Sequence, residues 1–353
     1  VKTDNLLYAN GVPYDFEQPG GTNTTIQFND NNDFGGSNAF TFDNTTNAVS
    51  LTGNITTNNA NLGNLAIANF ITGTLTTNAQ SNITSVGILT DLRISNDKVH
   101  LGNLAGNTNQ GNFTVAIGKT AGENNQGAYS IAIGDGAGTN AQGTGSVALG
   151  DNAGANLQGN NSIAIGPNAG IENQDDSAIA IGESAGHTNQ GSYSIAIGDD
   201  AGYANHGVDA IAIGRFAGNN GTGANSISIG YRAGENTAIQ GIAIGHDATG
   251  GGSNSVHIGT SAGGTGDESI CIGTFAGTGG GGGDGLNSIA LGENAGRPNL
   301  ANNTIVLNAT GANLQGTTAN ALYIKPVRTV NSTVGLNQLY YDSTTGEIVV
   351  YIP

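Results

Sequence analysis

The sequence predicts an all-β chain organised around a parallel β-solenoid. Three observations carry that expectation. A phrase close to S-I-A-I-G-x-x-A-G-x-N-x-Q-G-x-x recurs along most of the chain. The glycine closing each apolar triplet falls at Gly102, Gly118, Gly134, Gly150, Gly166, Gly182, Gly198, Gly214 and Gly230, a step of 16 residues; Gly245, Gly259, Gly273 and Gly292 follow at steps of 15, 14, 14 and 19. A period this short is one coil of a solenoid stacked on its neighbours. The composition, with 60 Gly and only 10% charged residues in 353, would also suit disorder. The regular spacing of Ile and Gly argues against it.

Taken in order, residues 1–97 lie outside the 16-residue period. They alternate apolar and polar residues between clusters of Asn, Asp and Gly, as β-rich segments do. Phe40, Phe42, Val49 and Leu51 flank "DNTTN" and predict a hairpin. The solenoid occupies residues 98–316. Residues 317–353 form a C-terminal β cap in which "LYYDSTTGEIVV" repeats the hairpin "FTFDNTTNAVSL".

Each coil begins with a strand. In "SIAIG", Ile195 and Ile197 share one face and Ala196 takes the other. β-branched Ile suits a buried, pleated surface, so the reading places Ile inward and Ala outward. The following glycine permits a turn with positive φ. One coil alone cannot bury enough apolar surface to offset the ordering of its backbone, so stacking must supply the rest. Stacking also aligns equivalent side chains. Gln110, Gln126, Gln142, Gln158, Gln174 and Gln190 form such a row, with His206 next in register, and their role reads as structural.

The phrases "SIAIGDGAGTNAQGTGSVALG" and "NSIAIGPNAG" resemble the head repeats of YadA-type trimeric autotransporter adhesins, over about Val99 to Gly316. The resemblance implies a left-handed parallel β-roll and side-by-side association of three chains. It also implies that small outward residues, Ala132, Ala164 and Ala196, pack closely against a partner chain. The flanking stretches "LLYANGVPYDF", "GTLTTNAQSNITSVGIL" and "LYYDSTTGEIVVY" resemble tail-fibre and virion-fibre proteins of bacteriophages and marine viruses. That resemblance implies trimeric β-prism or triple β-helix segments, and a C-terminal junction to a self-cleaving chaperone. The chain shows neither a heptad stalk nor a membrane anchor, which favours the viral fibre over the bacterial adhesin.

The charge balance narrows the partners. A net charge of −17 with nine Lys and Arg leaves too little positive charge to neutralise a nucleic-acid backbone or to seek an anionic membrane. No apolar run approaches the roughly 20 residues of a membrane span. Cys271 stands alone, so no disulfide within the chain is expected. The first residue, Val1, points to a processed chain or part of a longer one.

No catalytic constellation emerges, and no cofactor or metal is expected. His100, His187, His206, His246 and His257 are scattered without a ligand spacing. "GTGGGGGDGLNS" lacks the iteration of a calcium-binding nonapeptide and reads as a loop in the longest repeat. Asp135, Asp151, Glu183 and Asp199 read as solvated turn residues. His257 and Cys271 replace the usual Ala in adjacent coils, at a position read as outward-facing, and read as tolerated variation rather than a metal site. One cluster points to recognition. Arg215-Phe216 and Tyr231-Arg232 take the same two turn positions in successive coils, so they should stack about 4.8 Å apart. Arg and aromatics anchor interfaces, and a host glycan or protein receptor is the expected partner there.

The expectation is a non-enzymatic homotrimeric fibre on the surface of a virus particle. It would serve as spacer and host-attachment element, joined to a virion or tail attachment protein. The alternatives are a cell-surface adhesin or filament subunit, and a glycan-cleaving tailspike.

Overall fold

A computed structural model describes residues 25–30, 33–52, 98–235, 238–278, 285–330 and 338–350. All 27 regular elements among them are strands. The chain divides into two units, Val1–Gly87 and Ile88–Pro353.

In the first unit, Thr25–Asp30, Asp33–Asp43 and Ala48–Leu51 form a three-stranded antiparallel sheet. The predicted hairpin is present, with Phe40 opposite Leu51 and Phe42 opposite Val49. Its turn is set by Asp43, whose carboxylate accepts the Thr45 N–H at 2.8 Å. Those backbone bonds also hold the carboxyl below the usual range. The stretches "LLYANGVPYDF" and "GTLTTNAQSNITSVGIL" lie outside the described residues, as does most of the glycine run after Gly277.

The second unit is the parallel β-solenoid. One sheet of 15 parallel strands runs from Lys98–Leu101 to Leu322–Lys325. Its register advances one coil at a time without slippage: Ile163 pairs with Ile179, Ala164 with Ala180, Ile165 with Ile181. A second sheet of five parallel strands, Asn140–Gln142 to Ala204–His206, forms the opposite wall. The turn glycine fits by necessity. Gly166 has φ 121°, and a Cβ there would lie 2.6 Å from the carbonyl oxygen of Gly182 in the next coil. At the C-terminal end of this unit Leu339–Asp342 and Glu347–Val350 form the second predicted hairpin, and the Asp342 carboxylate caps its turn as Asp43 does.

The faces of the strand are reversed from the sequence reading. Ala116, Ala132, Ala148, Ala164, Ala180, Ala196 and Ala212 are fully buried and meet the turn alanines Ala121, Ala137, Ala153, Ala169, Ala185, Ala201 and Ala217 across the coil. The flanking Ile residues face outward, Ile131 and Ile213 at 36% and 37% exposed. The reason is volume. Period-2 alternation says which residues share a face, not which face is inside. Two walls joined by turns of a few residues enclose a slot that methyl groups fill and that Ile side chains would overfill.

Through the 16-residue coils the remaining interior is polar and mostly paired. Ser130, Ser162 and Ser194 return their hydroxyls to glycine carbonyls three residues back, at 2.6, 2.8 and 2.7 Å. The glutamine row is a buried ladder. Gln142, Gln158, Gln174 and Gln190 each donate to the main-chain carbonyl eleven residues earlier, at 2.8 to 2.9 Å. Gln158 and Gln174 also donate to the next amide in the row, both at 3.1 Å.

Candidate recognition surface

Two edges flank the large sheet. One is made by the turn that follows each strand glycine, and it carries the predicted cluster. The main chain of Arg232 donates to the carbonyl of Arg215 at 3.0 Å, which locks the two turns into register. Phe216 and Arg232 occupy the left-handed region, with φ of 59° and 51°. That backbone throws their side chains outward, beside those of Arg215 and Tyr231. The guanidinium of Arg215 lies 4.8 Å from the Tyr231 ring centre and 5.3 Å from that of Phe216. The two rings meet edge-on at 6.1 Å. The side chains of Arg215, Phe216 and Tyr231 therefore converge, and Arg232 joins them through its main chain.

The surface extends further than the sequence suggested. His246 follows Tyr231 in the next coil, its ring 5.0 Å away. Arg232 turns from the rings towards carboxylates, 3.5 Å from Glu235 and 3.7 Å from Asp247. Asp247 also meets His246 at 2.9 Å. A shallow depression lies between Phe216, Asn219, Tyr231, Arg232 and Glu235. The 15-residue step from Gly230 to Gly245 hid His246, because the column continues only if coils rather than residues are counted. Chemically the patch offers one stacked cation, two aromatic faces and a carboxylate-bound Arg. It can hold a flat or hydroxyl-rich ligand by contact.

On the N-terminal side of this patch the turn is acidic. Asp200 lies in the coil before Phe216, and partial burial raises its pKa, with Asp199 and Glu183 adding repulsion. Further along, Lys119 and Asp135 approach to 3.8 Å, both well exposed.

His257 and Cys271 do pair in adjacent coils, but they point inward and are fully buried. This corrects the outward placement. His257 is held by the Thr249 carbonyl at 2.6 Å and the Ser269 hydroxyl at 3.1 Å. These 14-residue coils lack the inward Gln, and the larger residue at the strand centre takes up its volume. Among the described residues, no three His, Cys, Asp or Glu side chains are placed to hold a metal ion.

The description of the YadA head domain repeat fits residues 141–169, in two copies. That stretch spans Val147–Leu149 and Ile163–Ile165 of the large sheet and Asn156–Gln158 of the five-stranded sheet. The solenoid is a YadA-like β-roll. No curated protein and no solved structure matches the chain.

Proposed function

We propose that this chain is a non-enzymatic, homotrimeric surface fibre that holds a recognition surface away from its anchor. The observation that carries the proposal is the outward Ile face. Two columns of Ile, Val and Leu run coil after coil along the large sheet, each side chain about half-buried. A continuous apolar face of this size calls for a partner. Because the face repeats along the roll, its natural complement is the same face of another copy, and the head-repeat likeness favours three. Covering the rest of each Ile returns about 1 kcal/mol, repeated at every coil.

The fibre is extracellular in this reading, in keeping with the adhesin-like repeats, and the flanks favour attachment to a virus particle through a virion or tail protein. The three segments 1–97, 98–316 and 317–353 then divide the work into stalk, roll and cap. Arg215, Phe216, Tyr231 and Arg232 would meet a host glycan or protein receptor. A cell-surface adhesin is the second reading, favoured by the repeat match at 141–169. Two measurements decide. Light scattering on the purified chain is expected to give three times its mass of 35.1 kDa, and a monodisperse monomer overturns the fibre. Immunogold labelling is expected on virus particles; label confined to cell envelopes selects the adhesin.

A further inference from the structure

The opposite edge of the roll, the turn leading into each strand, carries a second aromatic site. One residue per coil there adopts the left-handed region: Phe113, Tyr129, Gly145, Asn161, Ser177 and Tyr193 have φ between 55° and 68°. Asn is the comfortable choice at such a position, and further along the column Asn225, Asn254, Asn287, Asn303 and Asn320 supply it. Bulky aromatics there are strained, and strain kept on a surface is a sign of use.

Phe113 and Tyr129 form a stack. Their rings lie 5.1 Å apart and 13° from parallel. Both are exposed, at 51% and 65%. The stack stops where Gly145 has no side chain. The space its Cβ would occupy contacts only the Asn161 carboxamide, whose Oδ1 lies 2.8 Å away. Main-chain bonds fix these turns one coil apart: Gly145 donates to the Ala128 carbonyl and Asn161 to that of Thr144, both at 2.9 Å. The Asn161 carboxamide reaches back into that space, so the column continues beyond Tyr129 as an amide rather than a third ring. The four turns Gly111–Thr114, Gly127–Ser130, Gly143–Ser146 and Gly159–Ser162 contain no charged residue.

We infer that Tyr129, exposed, stacked on Phe113 and bordered past Gly145 by the Asn161 carboxamide, is a binding site for a neutral pyranose. The carbon-bound hydrogens of a sugar face suit the negative face of an aromatic ring, and its hydroxyls suit the carboxamide. The turns themselves carry no charge, and the neighbouring Asp176, bonded to Asn160 at 2.6 and 3.2 Å, disfavours a sialylated or sulfated sugar over a neutral one. The inference deepens the attachment reading, yet sugar binding can fail while the trimer and its particle location stand.

The test is saturation-transfer NMR on the full chain. The probes are neutral oligosaccharides of glucose, galactose, mannose and N-acetylglucosamine, with sialyllactose and a sulfated disaccharide as anionic controls. At least one neutral probe is expected to bind. Y129N should weaken that binding about tenfold or more, and F113N less, the size of a lost stacking contact. Y193N, a left-handed aromatic elsewhere in the column, should leave it unchanged. Because Asn suits the left-handed backbone, Y129N should fold with an unchanged or higher melting temperature. No binding of any neutral probe at about 10 mM overturns the inference. So does binding of the anionic probes alone, or a Y129N variant that binds as well as the parent. Loss of the trimer in Y129N, with no sugar bound by the parent, would assign the rings to contact between copies and also overturn it.

Discussion

His206 marks where the buried ladder changes. It continues the glutamine row, since Gln190 pairs with it in register and Thr222 follows. Yet neither ring nitrogen has a hydrogen-bond partner among the described residues. Burial lowers its pKa from 6.5 to about 4. A depressed histidine pKa means that the unfolded chain takes up the proton first. The associated stability is therefore full above pH 6.5, declines as the pH falls, and by about pH 4 is lower by about 3 kcal/mol per chain. H206Q should remove this part of the acid sensitivity. A glutamine there can reach the Ile195 carbonyl, as Gln190 reaches that of Ile179. Urea midpoints of parent and variant at pH 7 and pH 4 check it, and an equal drop in both would refute the assignment. The row itself was legible from spacing. The inward face was not, because Ile-Ala-Ile alternation is symmetrical to inside and outside. The missing clue was the turn alanine, as in Ala201: two methyl columns must face each other in a slot too narrow for anything larger, so the strand's own Ala has to turn inward.

At the scale of the coil, register is the governing quantity. Strand pairs advance in whole repeats, Val147 to Ile163 to Ile179. Deleting Asp151 to Gly166 would bring Ile179 onto Val147 and leave the Ala columns and the Gln ladder continuous. That variant should keep its β signal by circular dichroism and melt within a few degrees of the parent, since each coil depends mainly on its neighbours. Deleting only Asp151 to Gln158 would bring a strand of the large sheet onto the five-stranded wall and should abolish the cooperative transition. Equal melting of the two deletions would show that the stack tolerates register loss. The 16-residue period made this element readable from sequence. The later coils were harder, because their 14-residue step discards the second strand and the Gln. There His257, Cys271 and, further on, Leu300 fill the interior, and residue types alone read the first two as variation on an outward face where packing was the cause.

For the whole molecule, the reversed faces shift the burden from folding to assembly. Had Ile179 and Ile181 been the core, charging them would unfold the roll. They are outward and half-buried, so I179K with I181K should leave the β signal of the coil intact while reducing the mass in light scattering from trimer towards monomer. An unfolded variant would return Ile to the core, and an unchanged trimer would place the contact between copies elsewhere. Sequence periodicity could name the repeat and its stacking. It could not name this surface, because an apolar column reads alike whether its neighbour is the same chain or another copy.

The one-coil hydrogen-bond step has a consequence for heredity. Sixteen codons specify a coil that repeats the register of its 16-residue neighbours, so tandem copies in the gene invite unequal exchange. Each in-frame gain or loss of a unit yields a roll longer or shorter by about 4.8 Å, with no new contact to invent. Reach would then be an inherited trait that changes by integers, and natural variants should differ in whole coils far more often than in fractions of one.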